Sequence, residues 1–230
     1  MQQLNVVISG FDHYDGVDVN PAVEVPKALV ERGVDLARVG ADADVDGVFD
    51  DVRVNVHAVS IPVSFGKAWP TLREAIDAAK PDIVIATGLK HTARGVMLER
   101  CATNLMDSPR PDAENVVARR TPINPDGPAA YWTRLPLRAI LKDFTRDHIA
   151  ASLSSDAGTF VCNSLFYRLM EWTSTQQRVL SGFVSLPLID HHDKFRHGLS
   201  LEQLIAAGRD VVGETVRYYL EPSSGDILID

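Results

Sequence analysis

Short apolar runs alternate along the chain with segments whose apolar residues recur at helical spacing. The runs are rich in β-branched residues and are typical of buried strands; they lie at 4–9, 53–63, 81–88, 150–154 and 182–187. The helical spacing predicts helices at 21–32, 67–79, 129–144, 160–172 and 201–220. Between 89 and 127 the chain contains two Arg-containing patches, several prolines and few periodic apolar residues, which predicts a long irregular region.

Strands that are separated by helices indicate a parallel or mostly parallel sheet with helices on both faces. The pattern has no internal repeat and no linker, so we expect one α/β domain over 1–222 and a polar tail over 223–230.

Composition narrows the functional classes. The 230 residues carry a formal net charge of -8, which argues against binding to nucleic acid or to an anionic membrane surface and favours a small or neutral ligand. We see no signal-peptide pattern and no apolar stretch of the roughly 20 residues that a membrane helix needs. The two cysteines have no metal-ligand spacing. We therefore expect a cytoplasmic protein with reduced thiols, no metal and no cofactor.

Cys162 is the first candidate for chemistry. The preceding DAGT turn at 156–159 offers Thr159 as an N-cap, which would place Cys162 in the first turn of a helix. The free N–H groups there favour a thiolate and are able to hold an oxyanion. A lone cysteine on an apolar helix is, however, more often a small buried residue, and the residues alone leave both readings open.

Glu99 is the second candidate. It stands among apolar residues in MLERCATNL, 97–105, after a buried strand. A carboxylate there is able to orient a catalytic imidazole, although an exposed Glu beside Arg100 is an equally simple interpretation.

Several segments in order resemble the pyroglutamyl peptidase I family, which comprises cytosolic cysteine exopeptidases that remove N-terminal pyroglutamate. GFDHYDGVDVNPA resembles the family's Gly-Phe-x-Pro-Phe-Gly…Asn-Pro segment, and ERCATNL its Glu-Arg-Val-Ala-x-Asn motif. AGTFVCNSLFYRLM is close to the family wording around its nucleophile, and SGFVSLP is similar to its Gly-Phe-Ile-His-x-Pro. These segments lie at 10–22, 99–105, 157–170 and 181–187.

The resemblance implies a fold, an activity and a set of site residues. The fold is a single-domain three-layer α/β/α sandwich with a mixed, mostly parallel twisted sheet, and association as a homo-oligomer, dimer or tetramer, is common. The activity is acyl transfer from a peptide with N-terminal pyroglutamate to a cysteine, with Cys162 as nucleophile and Glu99 as the acidic triad member. The implied substrate-binding positions are Phe11, Tyr14, Asn20, Leu89, Arg94 and Val161.

The chain departs from the family at the triad histidine, whose position is occupied by Ser185. A serine hydroxyl is not a general base near neutral pH, so both the activation of the thiol and the protonation of the leaving amine are in doubt. Leu89 stands where many members carry Gln, and Arg94 replaces the family arginine only with an offset of one residue. His191, His192, His91 and His13 are candidates for a relocated base.

Two functions follow from these observations. The first is a pyroglutamyl peptidase, slow or with a relocated base. The second is a catalytically impaired or repurposed homologue that binds a small lactam-like or peptide ligand. A nucleoside phosphorylase-like or other hydrolase on the same architecture is a third, which rests on fold analogy alone.

Overall fold

The computed structural model describes residues 2–12, 16–36, 39, 47–190 and 198–227. Its strands are β1 Gln2–Phe11, β2 Val52–Ile61, β3 Ile83–Leu89, β4 Val96–Glu99, β5 Cys101–Thr103, β6 Ala130–Trp132, β7 Ala151–Ser154 and β8 Leu180–Leu186. Its α-helices are α1 Pro21–Arg32, α2 Ala68–Ala79, α3 Leu137–Arg146, α4 Val161–Ser174 and α5 Leu201–Leu220, and a short 3₁₀ helix follows at Ser224–Asp226.

Six strands form one mixed sheet in the order β2-β1-β3-β8-β4-β7. The first four run parallel to one another, β4 runs antiparallel to β8, and β7 pairs with β4 in parallel. β5 and β6 form a separate antiparallel pair. Three strands of the large sheet, β1, β3 and β8, therefore bring their carboxyl ends to the same edge, where α/β proteins place their ligands.

Side chains on the central strands alternate between two apolar layers. On β3, Ile83 and Ile85 belong to the layer that contains residues of α1, α3 and α5. Val84 and Ala86 face the other layer, which contains residues of α2 and α4. The chain is thus a three-layer α/β/α sandwich with a mixed, mostly parallel sheet, as the resemblance implied.

The irregular region predicted between 89 and 127 is only partly irregular. It contains the end of β3, all of β4 and all of β5, and β4 is a strand of the main sheet. Four and three residues are too short to show a clear period in the sequence. The helix predicted over 129–144 was also wrong in part, because the chain first forms β6 and the helix begins only at Leu137.

The long connection between β5 and β6 is held by side-chain hydrogen bonds to the backbone. The buried Asp112 carboxylate accepts hydrogen bonds from the backbone N–H groups of Phe65, Glu114 and Val116. Asn163 of α4 donates to the carbonyl oxygens of Thr103 and Leu105. These bonds attach the connection to α4 and to the start of α2. Within the described ranges no helix has the length and apolarity needed to cross a membrane.

A buried cluster of charged side chains joins α3 to α5. Glu214 is 2% exposed and accepts a hydrogen bond of 2.9 Å from Arg217 Nε, while Arg217 Nη2 also contacts Asp226. Burial, with the neighbouring Asp143 carboxylate, raises the pKa of Glu214 to about 7. Burial likewise raises the pKa of Asp210 to about 6. Ionisation of either carboxyl group is therefore less favourable in the folded protein than in the unfolded chain.

We predict that the stability of Glu214→Gln, compared with wild type at the same pH, is higher at pH 8 than at pH 5. A carboxyl whose folded pKa lies above its unfolded value contributes stability that is present below pH 4.5 and is lost as the pH rises through about 7. Gln removes that loss, so its free energy of unfolding relative to wild type should increase by more than about 1 kcal/mol between the two pH values. Urea unfolding at each pH measures it.

Glu202→Gln on the same helix is the matched control, because Glu202 is exposed and pairs with Arg32 at the surface. The free energy of unfolding of Glu202→Gln relative to wild type should not increase between pH 5 and pH 8. If Glu214→Gln changes the free energy of unfolding by the same amount at both pH values, the pKa of Glu214 is not raised in the folded protein.

Candidate active site

A cavity of about 80 Å³ lies at the carboxyl ends of β1 and β3, against the beginning of α4. Residues from both strands, from α4 and from five connecting segments line it: Phe11, Asp12, Asn20, Val63, Leu89, His91, Arg110, Phe160, Val161 and Cys162. Apolar walls with a few convergent polar groups are typical of small-molecule sites.

Cys162 is the second residue of α4, within the helix's first turn. The N-cap is Phe160, which makes no capping hydrogen bond through its side chain, so the predicted cap at Thr159 was wrong. The Thr159 hydroxyl instead donates to the carbonyl oxygen of Asp107 and anchors the turn to the long connection. The sulfur nevertheless lies where backbone N–H groups of the first turn have no helical partner.

Gly88 on β3 leaves the space that the sulfur occupies. A Cβ atom at Gly88 would lie 3.0 Å from Cys162 Sγ and 2.8 Å from Phe183 Cζ. Both distances are shorter than ordinary van der Waals contact, so a side chain here requires the sulfur or the ring to move.

Ser185 and Glu99 lie on the same face of the sheet as Cys162. Phe183 belongs to the apolar layer of α4, and Ser185, two residues further along β8, points to the same side. Glu99 pairs with Phe183 across the antiparallel β4–β8 ladder. The Ser185 hydroxyl donates a hydrogen bond of 2.7 Å to Glu99 Oε1.

Glu99 is fully buried, with 0% of its surface exposed. Burial raises its pKa, while the hydroxyl groups of Ser154 and Ser185 and the charge of Lys90 act in the opposite direction. Its second oxygen, Oε2, is a buried acceptor without a hydrogen-bond partner among the described residues. Such an acceptor is costly to leave unpaired, and it faces the same side of the sheet as the cysteine.

The Cys162 thiol is protonated at neutral pH. Burial raises its pKa to about 12, and the negative charge of Glu99 adds to the effect, while a backbone hydrogen bond and Lys90 oppose it. The helix terminus alone therefore does not produce the thiolate that the sequence pattern suggested.

The cavity walls contain several of the predicted substrate-binding residues. Asn20 is the N-cap of α1: its Oδ1 accepts from Ala22 N, and its Nδ2 donates to the carbonyl oxygens of Phe11 and Asp12. Leu89 and Val161 also line the cavity. Arg94 is exposed and does not contribute to the described lining, and Tyr14 lies outside the described residues.

Only one of the candidate relocated bases can be placed. His91 lines the same cavity as Cys162, two residues after the end of β3. His13, His191 and His192 lie outside the described residues. His57 and His148 are exposed, on β2 and after α3. In the described part of the chain, no group of three or more His, Cys, Asp or Glu side chains could hold a metal ion.

Sequence reasoning missed Lys90, Arg110 and Phe160. Arg110 and Phe160 line the cavity, and the Arg110 guanidinium lies 5.8 Å from the centre of the Phe160 ring. Arg110 comes from the long connection, whose path no local pattern reveals. Lys90 directly follows a strand whose carboxyl end was expected at the site, and that adjacency was a usable signal.

We predict that Gly88→Ala slows alkylation of Cys162 and lowers the melting temperature by several degrees, because the new methyl group meets the sulfur and Phe183. Site-resolved mass spectrometry after iodoacetamide treatment measures the alkylation. Gly66→Ala is the control, since its nearest neighbour would be 3.9 Å away. Equal behaviour of the two variants would contradict the close approach of Gly88 to the sulfur.

Comparison with known proteins identifies relatives over nearly the whole chain. A pyrrolidone-carboxylate peptidase of Bacillus subtilis is 37% identical over 216 residues, covering 93% of each protein. One from Pseudomonas fluorescens is 36% identical over 203 residues, covering 87% of each. Among solved structures, pyroglutamyl peptidase I of Bacillus amyloliquefaciens aligns with a TM-score of 0.78 at 31% identity, covering 94% of this chain and 98% of that one.

The pyrrolidone carboxyl peptidase of Thermococcus litoralis aligns with a TM-score of 0.80 at 27% identity, covering 99% of both chains. The family model described as pyroglutamyl peptidase matches residues 4–216. The fold and the sequence therefore agree over the same span, and the chain belongs to the pyroglutamyl peptidase family.

Proposed function

We propose that this protein binds peptides that begin with pyroglutamate in the Cys162 cavity and cleaves them slowly, with Cys162 as nucleophile. The observation that carries the proposal is the position of Cys162: in the first turn of α4 and in the wall of a largely apolar cavity at the carboxyl ends of β1 and β3. Family membership supports the substrate class.

The reaction is acyl transfer in two steps. The Cys162 sulfur attacks the carbonyl carbon that joins pyroglutamate to the next residue, and N–H groups at the start of α4 stabilise the oxyanion. The C–N bond then breaks, and the amine leaves with one added proton. Water hydrolyses the thioester, which releases pyroglutamic acid and restores the thiol.

Ser185 limits the rate of both proton transfers. The first step needs a group that accepts the thiol proton and returns it to the amine, and a hydroxyl group hydrogen-bonded to Glu99 does neither efficiently near pH 7. Loss of a triad member typically costs several orders of magnitude in rate. His91 lines the same cavity as Cys162 and is the candidate for a relocated base that lies among the described residues.

A second candidate function is ligand binding without turnover. The hydrogen bond from Ser185 to Glu99 favours it, because the acidic residue that would orient an imidazole is already bonded to a hydroxyl group. In this case the cavity retains pyroglutamyl peptides without cleaving them.

We place the protein in the cytoplasm and expect a homo-oligomer. Both cysteines of the chain are free thiols, which suits a reducing compartment. The exposed side chains of Trp132, Val116 and Val117 support self-association, because large apolar groups at the surface are favourable to bury.

We predict that the unmodified chain releases a reporter amine slowly from a pyroglutamyl amide and that Cys162→Ala abolishes this release. Cys101→Ala, which removes the other thiol, is the control and should retain the wild-type rate. A rate that survives Cys162→Ala would contradict the proposed nucleophile. If wild type shows no release but binds a pyroglutamyl dipeptide in calorimetry, the second candidate holds.

We predict that Ser185→His raises the rate of release by at least about 100-fold, since a positioned general acid–base contributes about 10²–10⁴. The imidazole would take the hydrogen bond that Glu99 now accepts from the serine. Ser185→Asn is the control, because an amide forms hydrogen bonds but accepts no proton. A folded Ser185→His variant with no gain over Ser185→Asn would show that position 185 does not limit the reaction.

A further inference from the structure

Lys90 contacts both the turn before α4, which carries Cys162, and the Glu99 carboxylate on β4. It follows β3, and its backbone N–H extends the ladder by donating to Leu186 O at 2.8 Å. Its ammonium group donates a hydrogen bond of 2.6 Å to the carbonyl oxygen of Asp156, in the turn before α4. The same Nζ atom lies 3.7 Å from Glu99 Oε1.

Glu99 Oε1 therefore receives two contacts, one from the Ser185 hydroxyl and one from the Lys90 ammonium group. The Lys90 side chain is 28% exposed, whereas that of Glu99 is fully buried. A hydroxyl group supplies no charge, whereas the Lys90 ammonium group brings a positive charge to within 3.7 Å of this carboxylate.

The charge balance of the site requires such a group. A buried carboxylate beside Cys162 disfavours a thiolate, and a triad that passes a proton to histidine offsets this with an imidazolium ion. The positive charge of Lys90 lowers the pKa values of both Glu99 and Cys162, against the larger effect of burial.

We propose that Lys90 is a positioning residue whose ammonium group supplies the positive charge that a histidine at position 185 would otherwise bring to Glu99 and Cys162. It stabilises the Glu99 carboxylate directly and the Cys162 thiolate through space, and it fixes the turn that starts α4. The inference rests on the proposed role of Cys162 as nucleophile, but it predicts a property of the free protein that is measurable without substrate.

The alternative is a purely mechanical role, in which Lys90 only holds the 155–159 turn through its bond to Asp156. Two substitutions separate charge from mechanics. Lys90→Met keeps most of the aliphatic side chain and removes the charge, whereas Lys90→Arg keeps both the charge and the N–H donors.

The test is the rate at which iodoacetamide, a neutral reagent, alkylates each cysteine of the full-length protein at pH 9, followed by peptide mass spectrometry. Only the thiolate reacts, so the rate follows the thiolate fraction. Cys101 is the comparison thiol: burial raises its pKa, and Arg100, Glu99 and Asp156 influence it, so Lys90 acts on it only through these neighbours.

We expect Lys90→Met to slow alkylation of Cys162 at least about threefold, with a smaller change at Cys101, and Lys90→Arg to retain the wild-type rate at both sites. An unchanged rate at Cys162 in Lys90→Met would overturn the inference. Equal slowing in Lys90→Met and Lys90→Arg would also overturn it, because charge would then not be the operative property. A change at Cys101 of the same size as at Cys162 would count against it as a general loss of structure.

Failure of the proposed function is distinguishable from failure of this inference. If the protein cleaves no pyroglutamyl amide while the Cys162 rates shift as expected, the charge role of Lys90 stands and the peptidase function falls. If cleavage depends on Cys162 while the alkylation rates do not change on substitution of Lys90, the peptidase function stands and the charge role of Lys90 falls.

Discussion

The Ser185 hydroxyl donates a 2.7 Å hydrogen bond to Glu99 across the β4–β8 pair, on the side of the sheet that faces α4. This bond occupies one oxygen, Oε1, of a carboxylate of the kind that a triad uses to orient an imidazole. Under the proposed mechanism the chain has a nucleophile in Cys162 and an acidic residue in Glu99 but no proton carrier between them at position 185. The pKa of the Cys162 thiol is instead raised by burial and by the Glu99 carboxylate, with Lys90 acting in the opposite direction.

The balance of energies explains why a helix terminus does not rescue the thiol. Raising the pKa of Cys162 from 9.0 to about 12 corresponds to about 4 kcal/mol against the thiolate. A charge at a helix end gains typically 0.3–1 and at most about 2 kcal/mol. Burial and the neighbouring carboxylate therefore outweigh the helix terminus, and the fold places the Cys162 thiol at the cavity without ionising it.

Much of this site was predictable from the sequence because its geometry follows from local periodicity. The apolar runs of β3 and β8 and the helical period after Phe160 place Cys162 and Ser185 at one edge of a parallel sheet, and the family motifs add Glu99. The strand β4, which carries Glu99 into the sheet, was missed because four residues show no clear period. Its position depends on pairing with β8, a contact across more than 80 residues. The adjacency of Lys90 to β3 was visible in the sequence, but its contacts with Glu99 and with the Asp156 turn are formed only by the fold.

The protonation state of Cys162 in the unmodified chain decides most directly whether Ser185 leaves this thiol without an effective base. The rate constant for iodoacetamide alkylation at Cys162, followed from pH 6 to pH 11 by mass spectrometry of the isolated peptide, reports it without reference to any substrate. The account predicts a rate that is very low at neutral pH and still rising at pH 10, without a plateau. A rate that reaches its plateau below pH 7 would mean that a thiolate exists in the resting protein, and the claim that Ser185 leaves this cysteine without an effective base would then be wrong.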